Sequence, residues 1–208
     1  MNPQHLAGSA EHYTPAYVVE PARTVLDVFH LDPASCREAN KVVKAGNYFD
    51  QADDGLQQKW HGNVFLNPPG NCGWIPDATA KKGKRTAICG NEGSCSCKLV
   101  KKFWNKLWHE YDVGHVEAAV WIGFSLEQLQ NLQTKPKEVF RPSPLDFPIC
   151  YPHKRVAYVG TSPTHASYIT LLPPQGKTIE VYTMLTTFER VFAELGKVVI
   201  PDNWSLTC

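Results

Sequence analysis

Asn67, Pro68 and Pro69 directly follow the apolar run 64–66, and few chemistries need an amide and two prolines in this order. A proline ring fixes φ near about −65° and removes the backbone N–H, so this turn offers acceptors on a stiff backbone. An exocyclic NH2 group could donate one hydrogen to the Asn67 side-chain oxygen and the other to the Pro68 carbonyl, leaving the nitrogen lone pair facing an electrophile. The pattern indicates methyl transfer to such a nitrogen. A proline turn that merely closes a strand is the alternative.

Four of the seven cysteines lie in one short stretch of the chain, at Cys72, Cys89, Cys95 and Cys97. In a reducing compartment an odd number of cysteines indicates metal ligands or free thiols before disulfides. Four thiolates would satisfy tetrahedral zinc, with His109 able to replace one of them, and would hold a stretch that has little apolar core of its own. Because the spacing is irregular and contains no C-x-x-C pair, unligated thiols are the alternative to zinc.

The charges balance over the whole chain but not along it. The sequence has 21 Lys and Arg against 20 Asp and Glu, a net charge of +1, which does not by itself indicate a nucleic-acid partner. Between residues 81 and 106, however, eight basic residues stand against the single acid Glu92. The eight are Lys81, Lys82, Lys84, Arg85, Lys98, Lys101, Lys102 and Lys106. Such a face suits contact with DNA phosphates, and a solvated loop followed by a charged helix face is the alternative.

Length and composition limit the class of protein. A chain of 208 residues with 43% hydrophobic residues is long enough for one well-buried domain, whereas two would be cramped. No run of 18 uncharged apolar residues occurs, and the first residues lack the layout of a signal peptide. We therefore expect a soluble, cytoplasmic protein with one domain. The Gly, Lys and Cys content of residues 71–96 predicts an insertion at about 70–98 and not a core element.

Helices alternate with short apolar strands along the remaining sequence. Thr14 is the predicted N-cap of the first helix, with Pro15 at the first helical position. The predicted helices are 16–22, 36–45 (ending at Gly46), 98–111, 126–132 and 186–195 (capped by Gly196). The predicted strands are 24–29, 48–49, 62–66, 118–122, 156–159 and 167–172. The apolar stripe of helix 98–111 favours core packing over a base-stacking surface. The alternation favours an α/β fold with a mainly parallel sheet.

Several segments occur in an order that resembles a known enzyme family. Tyr13-Thr14-Pro15 is followed by residues 26–35 (LDVFHLDPAS) and by residues 47–69, which end in Asn67-Pro68-Pro69. Residues 147–160, 167–174 and 186–201 continue the likeness, which covers nearly all of the chain outside the insertion. In this order the chain resembles the phage and prophage DNA N6-adenine methyltransferases, often called Dam-like.

The resemblance implies both a fold and an activity. The fold would be the Rossmann-like one of methyltransferases that depend on S-adenosyl-L-methionine, with helices on both faces of the sheet. The activity would be transfer of a methyl group from this cofactor to N6 of adenine in DNA, the mark used in phage and restriction-modification systems. Asn67 and Pro68 would hold the amine, and Pro69 would stiffen the turn.

The resemblance also implies the residues that bind the cofactor. Tyr13-Thr14-Pro15 would close over the methionine moiety. Asp32, with Pro33 and Ala34 in the turn after the first strand, would lie against the methionine or ribose end. Asp54 would contact the adenine or ribose. Each of these assignments has an alternative: a simple helix start for Tyr13-Thr14-Pro15, a helix-capping role for Asp32, and a solvated turn for Asp54.

The chain departs from the family's pattern directly after the prolines. The family usually has an aromatic residue there, on which a flipped adenine stacks, whereas this chain has Gly70. Losing such stacking costs about 1–3 kcal/mol, so we expect Trp74 to substitute, with simple packing over the core as its alternative. Two other functions stay open: methylation of an RNA or protein amine, and DNA binding by a catalytically impaired relative.

Overall fold

The structure is a computed structural model that describes residues 13–69, 74–76, 85–87, 95–136, 138–159, 166–176 and 178–204, with 74–76, 85–87 and 95–98 described by their backbone alone. The helices in these ranges are α1 (Ala16–Leu26), α2 (Arg37–Val43), α3 (Cys95–Asp112), α4 (Leu126–Leu132) and α5 (Ile179–Phe192). The strands are β1 (Leu31–Asp32), β2 (Asn47–Tyr48), β3 (Gly62–Leu66), β4 (Trp74–Pro76), β5 (Arg85–Ala87), β6 (Val116–Gly123), β7 (Ile149–Pro152), β8 (Tyr168–Leu172) and β9 (Gly196–Val199). None of the described helices is long and apolar enough to cross a bilayer.

Seven of the strands form one mixed sheet in the order β2-β1-β3-β6-β8-β7-β9. The first four are parallel to one another, whereas β8 is antiparallel to both of its neighbours and β9 is antiparallel to β7. The predicted α/β class is therefore correct, and the sheet is mixed, with its parallel part from β2 to β6. This architecture is compatible with a Rossmann-like fold. β4 and β5 form a separate antiparallel pair.

The sheet lies between two layers of helices. α1 and α5 cover one face, where they pack on side chains such as Phe65 of β3 and Val120 of β6. α3 and α4 cover the other face and pack on Val64 and Trp121 of the same two strands. Strands buried on both faces have nearly continuous apolar sequences, which is how β3 and β6 appear in this chain. The expected covering of both faces by helices is confirmed.

The predicted strand 24–29 is wrong, because α1 extends into this segment and ends at Leu26. Val18, Val19, Ala22, Val25 and Leu26 are all buried, and their spacing of three and four residues is helical. Burial of this helix face outweighs the strand preference of β-branched residues. The strand that follows is only Leu31–Asp32, so Asp32 ends β1 and does not lie in the turn after it.

The segment 156–159 is also not a strand, since it makes only an isolated antiparallel bridge between Val159 and Tyr13. The strand in this part of the chain is β7, which the sequence pattern did not predict. It ends at Pro152, a residue that sequence patterns usually place outside strands.

The last helix begins seven residues earlier than predicted, at Ile179, because the Thr178 side chain caps it by accepting from Val181 N. Gly196 does not cap this helix but opens β9. A Cβ on Gly196 would lie 2.0 Å from the backbone oxygen of Tyr151, so the close approach of β9 to β7 requires glycine. The predicted β3 and α4 are confirmed to the residue, and α3 begins three residues before the predicted start.

Candidate active site

The direction of the chain reverses between β1 and β3, and this reversal locates the candidate site. From β1 the chain passes to β2 on one side and then returns to β3 on the other. Such a reversal leaves a crevice outside the carboxyl ends of the two strands, where ligands bind in open α/β sheets. The parallel pairing of Leu31 with Val64 puts both carboxyl ends at one edge of the sheet, so Asp32 and Asn67 lie at this same edge.

Asn67 is half-buried and makes a hydrogen bond to a residue 53 positions earlier in the chain. Its Nδ2 donates to Oγ1 of Thr14 over 3.0 Å. Thr14 is only 4% exposed, and Pro68 is buried. The prediction that Thr14 is the N-cap of α1 is wrong. Pro15 is the N-cap, and no side chain caps the helix there. The structure therefore brings the predicted amine-binding turn and the N-terminal motif together.

The N-terminal motif is held on its other side by the loop before β8. The backbone N–H of Val159 donates to the Tyr13 carbonyl over 3.0 Å. Two residues away, the N–H of Ala157 donates to the hydroxyl of Tyr17 over 3.0 Å. These bonds fix Tyr13-Thr14-Pro15 across the carboxyl-terminal edge of the sheet, between this loop and Asn67.

Asp32 is a buried carboxyl group at the end of β1, only 3% exposed. The Ala34 N–H donates to its Oδ1 over 3.3 Å, and its backbone oxygen accepts from Phe49 N over 3.1 Å. Burial raises the pKa of Asp32 to about 7, although the nearby Ser35 hydroxyl and the Ala34 amide partly oppose this rise. The Ser35 hydroxyl makes no hydrogen bond of regular geometry among the described residues, so the Ala34 contact is the better defined of the two.

The loop that carries Asp54 packs against the turn after β1. A Cβ on Gly55 would lie 1.9 Å from the Pro33 carbonyl oxygen, so only glycine admits this contact. Asp54 itself is exposed and has a left-handed backbone, with φ of 49°. Its Oδ1 accepts from Leu56 N over 3.2 Å, as expected for a turn aspartate. The loop is therefore beside the crevice, with the Asp54 carboxylate engaged in its own turn.

Several predicted site residues cannot be placed by their side chains. Gly70, Cys72, Lys81, Lys82, Lys84 and Cys89 lie outside the described residues. Trp74, Arg85, Cys95, Cys97 and Lys98 are described by backbone alone. Trp74 and Arg85 belong to the pair of strands β4 and β5, and the other three lie in the first turn of α3. Among the described residues no group of three or more His, Cys, Asp or Glu side chains could hold a metal, so the zinc site stays a prediction.

The described lysines of α3 have different surroundings. Lys102 is exposed and Lys101 is half-buried. Lys106 forms an ion pair with Glu110 over 3.0 Å and lies over the Trp60 ring, 5.4 Å from its centroid. Burial alone would raise the pKa of Glu110, but the hydrogen bonds from His115 and Lys106 outweigh it and lower that pKa. Lys106 is thus part of the fold, and Lys101 and Lys102 are the members of the basic group available at the surface.

A buried polar network that the sequence did not predict joins β6, the strand next to β3, to β8 and α4. Trp121 Nε1 donates to the Tyr168 hydroxyl over 3.4 Å, and that hydroxyl donates to Gln128 Oε1 over 3.3 Å. The Phe124 N–H donates to the same oxygen over 3.2 Å. A Cβ on Gly123 would lie 2.0 Å from the Tyr168 ring, so glycine is required there. A Gln in the first turn of α4 is the only sequence signal, and it is a weak one.

Comparison with models of known protein families gave no match to this chain. A comparison with curated proteins gave no match either.

Proposed function

We propose that this chain is a DNA methyltransferase with a Rossmann-like fold that transfers a methyl group from S-adenosyl-L-methionine to N6 of a flipped adenine. The observation that carries the proposal is the position of Asn67 and Pro68 at the edge of the sheet where the strand order reverses, the same edge at which the buried Asp32 ends β1. The sequence resemblance points to the same residues. The proposal thus joins a chemical motif to the place where ligands bind in such sheets.

The amide and the proline carbonyl suit an exocyclic amine because both are acceptors. An NH2 group that donates to Asn67 Oδ1 and to the Pro68 carbonyl has its two hydrogens fixed. Its nitrogen then rehybridises toward a reactive lone pair, and the same two oxygens stabilise the positive charge that develops on it. A strong base is not needed, since the reaction requires placement and stabilisation of the amine above all.

The residues at the end of β1 fit the proposed cofactor. A buried carboxyl such as Asp32 is a suitable partner for ribose hydroxyls or for the ammonium of an amino acid. Gly55 lets its loop approach the Pro33 carbonyl closely, which holds the Asp54 loop against the turn after β1. When bound, S-adenosyl-L-methionine supplies an electrophilic methyl carbon. Asp32, the Pro33-Ala34 turn and the Tyr13-Thr14-Pro15 segment are the residues that would hold it, with Asp54 at the outer side.

DNA is the proposed substrate because N6 of adenine is a planar amine of the required kind. Reaching it in a duplex requires flipping the base out of the stack, and Trp74 is the proposed stacking partner in place of an aromatic residue at Gly70. Lys101 and Lys102 of α3, with Lys98, Arg85 and the basic residues of the insertion, would contact phosphates. Zinc bound by the four clustered cysteines would hold that insertion.

The test is transfer of a labelled methyl group to adenine-rich duplex DNA, with N6-methyladenine measured by mass spectrometry of the nucleosides. We expect Asn67→Ala to lower kcat by about 100-fold or more, since single donors or acceptors at a developing charge have effects of this order. Cofactor affinity, measured by calorimetry, should change less than about threefold. Asn63→Ala is the matched control, because Asn63 lies at the opposite end of β3 and donates to the Leu26 carbonyl over 2.8 Å.

Three results would contradict the proposal. Absence of N6-methyladenine with cofactor bound would leave a DNA-binding relative without catalysis. Label in RNA or protein but not in DNA would replace the substrate. Equal activities of the Asn67→Ala and Asn63→Ala variants would remove Asn67 from the site.

A further inference from the structure

We infer, on the basis of the proposed function, that the loop after β7 binds DNA phosphates through His153 and Lys154. The loop has three consecutive exposed basic residues, His153, Lys154 and Arg155. It would be a contact with DNA separate from α3 and from the insertion. Two observations support it: the loop lies at the same edge of the sheet as Asn67, and its charges are not used inside the fold.

The direction of β7 places this loop at the edge of the candidate site. β7 is antiparallel to β8, and β8 is antiparallel to β6, so β7 runs in the same direction as β6 and β3. The pairings put four residues side by side across these strands: Leu66, Trp121, Thr170 and Ile149. β7 then continues to Pro152, whereas β3 ends at Leu66. The residues after Pro152 therefore extend beyond the end of β3, on the side where Asn67 follows it.

The register also gives the scale of the separation between Lys154 and Asn67. Neighbouring strands lie about 4.8 Å apart and rise about 3.3 Å per residue, so the three strand spacings from β3 to β7 and the longer β7 separate the two residues by roughly 20 Å. Phosphates of one DNA strand are spaced about 3.4 Å along the helix axis, so a duplex lying along this edge would bring a phosphate about six nucleotides from the target base to Lys154. One short duplex can therefore contact both residues.

The loop is fixed at both of its ends. The His153 N–H donates to the Leu195 carbonyl over 2.9 Å, and the side chain of Val156 is buried. Further along, the Val159 N–H donates to the carbonyl of Tyr13, in the N-terminal motif of the candidate site. A backbone held in this way keeps the exposed charges in constant positions, which reduces the entropy lost when DNA binds.

The charges of His153 and Lys154 are available to a partner. Among the described residues no ion pair involves either side chain. Glu194, next to the Leu195 carbonyl that accepts from His153, is exposed and forms no ion pair with them. A lysine that neutralises a phosphate releases condensed counterions, which favours binding at low salt. A solvated basic turn is the alternative.

The experiment measures the Kd of a labelled adenine-rich duplex at several salt concentrations for three variants. They are Lys154→Gln, the double substitution of His153→Gln and Lys154→Gln, and the matched control Lys59→Gln. Lys59 is also exposed and forms no ion pair among the described residues, but it precedes β3 and so lies at the opposite edge of the sheet. Because all three side chains are exposed, the substitutions leave the core unchanged.

We expect Lys154→Gln to raise the Kd for DNA by about fivefold at about 0.1 M salt, and to lower the slope of log Kd against log salt by about 0.9. The double variant should have a higher Kd still. Lys59→Gln should change the Kd for DNA by less than about twofold. The Kd of S-adenosyl-L-methionine, measured by calorimetry, should change by less than about twofold in every variant.

The results separate this inference from the proposed function. If the wild-type protein binds and methylates DNA and Lys154→Gln has the same Kd and slope, the inference is wrong while the proposed function stands. Equal losses of affinity in Lys154→Gln and Lys59→Gln would show only an effect of net charge and would also overturn it. If the variants behave as expected but the wild-type protein transfers no methyl group, the inference stands and the proposed function fails. A wild-type protein that does not bind DNA overturns both.

Discussion

Asp32 gives the most direct physical test of the site, because burial changes how its carboxyl group binds a proton. An aspartate has an ordinary pKa of about 3.9. Burial raises the pKa of Asp32 to about 7 in the folded chain. Each pH unit between the two values corresponds to about 1.4 kcal/mol, so ionising the buried carboxyl costs the folded state about 4 kcal/mol in full.

The sign of the effect follows from proton binding. Between pH 4 and pH 7 the unfolded chain has lost the proton and the folded chain retains it, so stability falls as the pH rises through this window. Asn has the shape of Asp without the charge, and its Oδ1 can still accept from Ala34 N. Relative to Asp32→Asn, the free energy of unfolding of the wild-type protein should therefore fall by about 3 kcal/mol between pH 5 and pH 8.

Urea unfolding of the two proteins at pH 5 and pH 8 measures this difference. The control is Asp54→Asn, which makes the same change of atoms at an exposed turn and should alter the free energy of unfolding by less than about 1 kcal/mol at both pH values. A difference between wild type and Asp32→Asn that is equal at pH 5 and pH 8 would refute the reasoning. So would a wild-type protein that gains stability over the variant as the pH rises, since the folded state would then favour the ionised carboxyl.

Two other predictions concern stability and use the same measurement. Gly55→Ala should lower the free energy of unfolding by about 3 kcal/mol, because the added Cβ meets the Pro33 carbonyl at 1.9 Å. The control is Gly46→Ala, which should change the free energy of unfolding by less than about 1 kcal/mol, since the atom nearest to its Cβ lies at 3.5 Å. Equal effects of the two substitutions would contradict this. Thr170→Val should raise the free energy of unfolding by about 1 kcal/mol, because the buried Thr170 hydroxyl has no hydrogen-bond partner among the described residues. A loss of stability in this variant would show that the hydroxyl is paired.

The elements that the sequence predicted best are those whose signals are local. β3 has the apolar run 64–66 between Gly62 and the prolines, and α4 has Ser125 as a capping residue that accepts from Gln128 N. The stripe of α3 has helical spacing from Val100 to Tyr111, about three turns, and its members pack in the core as predicted. In each of these cases local preference and tertiary packing favour the same structure, so the pattern was sufficient.

The elements that the sequence predicted wrongly are those where packing decides. Residues 24–26 have strand-forming side chains, yet they complete the buried face of α1, and Arg23 fixes that helix by donating to the Val43 carbonyl over 2.6 Å. Gly196 follows a helical pattern as a capping glycine would, but glycine is required there because β9 approaches β7 closely. Neither contact is visible in a window of a dozen residues.

The candidate site shows the same division. Its residue types could be chosen from the sequence, because an amide before two prolines has a specific chemistry. Its geometry could not, since the bond between Thr14 and Asn67 joins residues 53 positions apart, and the place of Asp32 depends on where the first strand ends. The sequence indicated which residue types could bind an amine, and the crossing of the chain from β2 to β3 explains why Asp32 and Asn67 lie at one edge of the sheet.

Two buried polar groups at this edge of the sheet support the proposed binding site. Burying a polar group costs free energy that its hydrogen bonds must offset, and a domain core does not need such a group. Thr14 and Asp32 are both buried; Thr14 accepts a hydrogen bond from Asn67, and Asp32 ends the strand at which the strand order reverses. Proteins retain such departures from an apolar interior mainly at functional sites. If the edge only closed the core, replacing Asp32 by Asn would improve stability at pH 8 and leave every other property of the protein intact. If this edge is the binding site, the same substitution must also weaken the binding of S-adenosyl-L-methionine. The stability of the protein at pH 8 would then rise while its affinity for the cofactor falls.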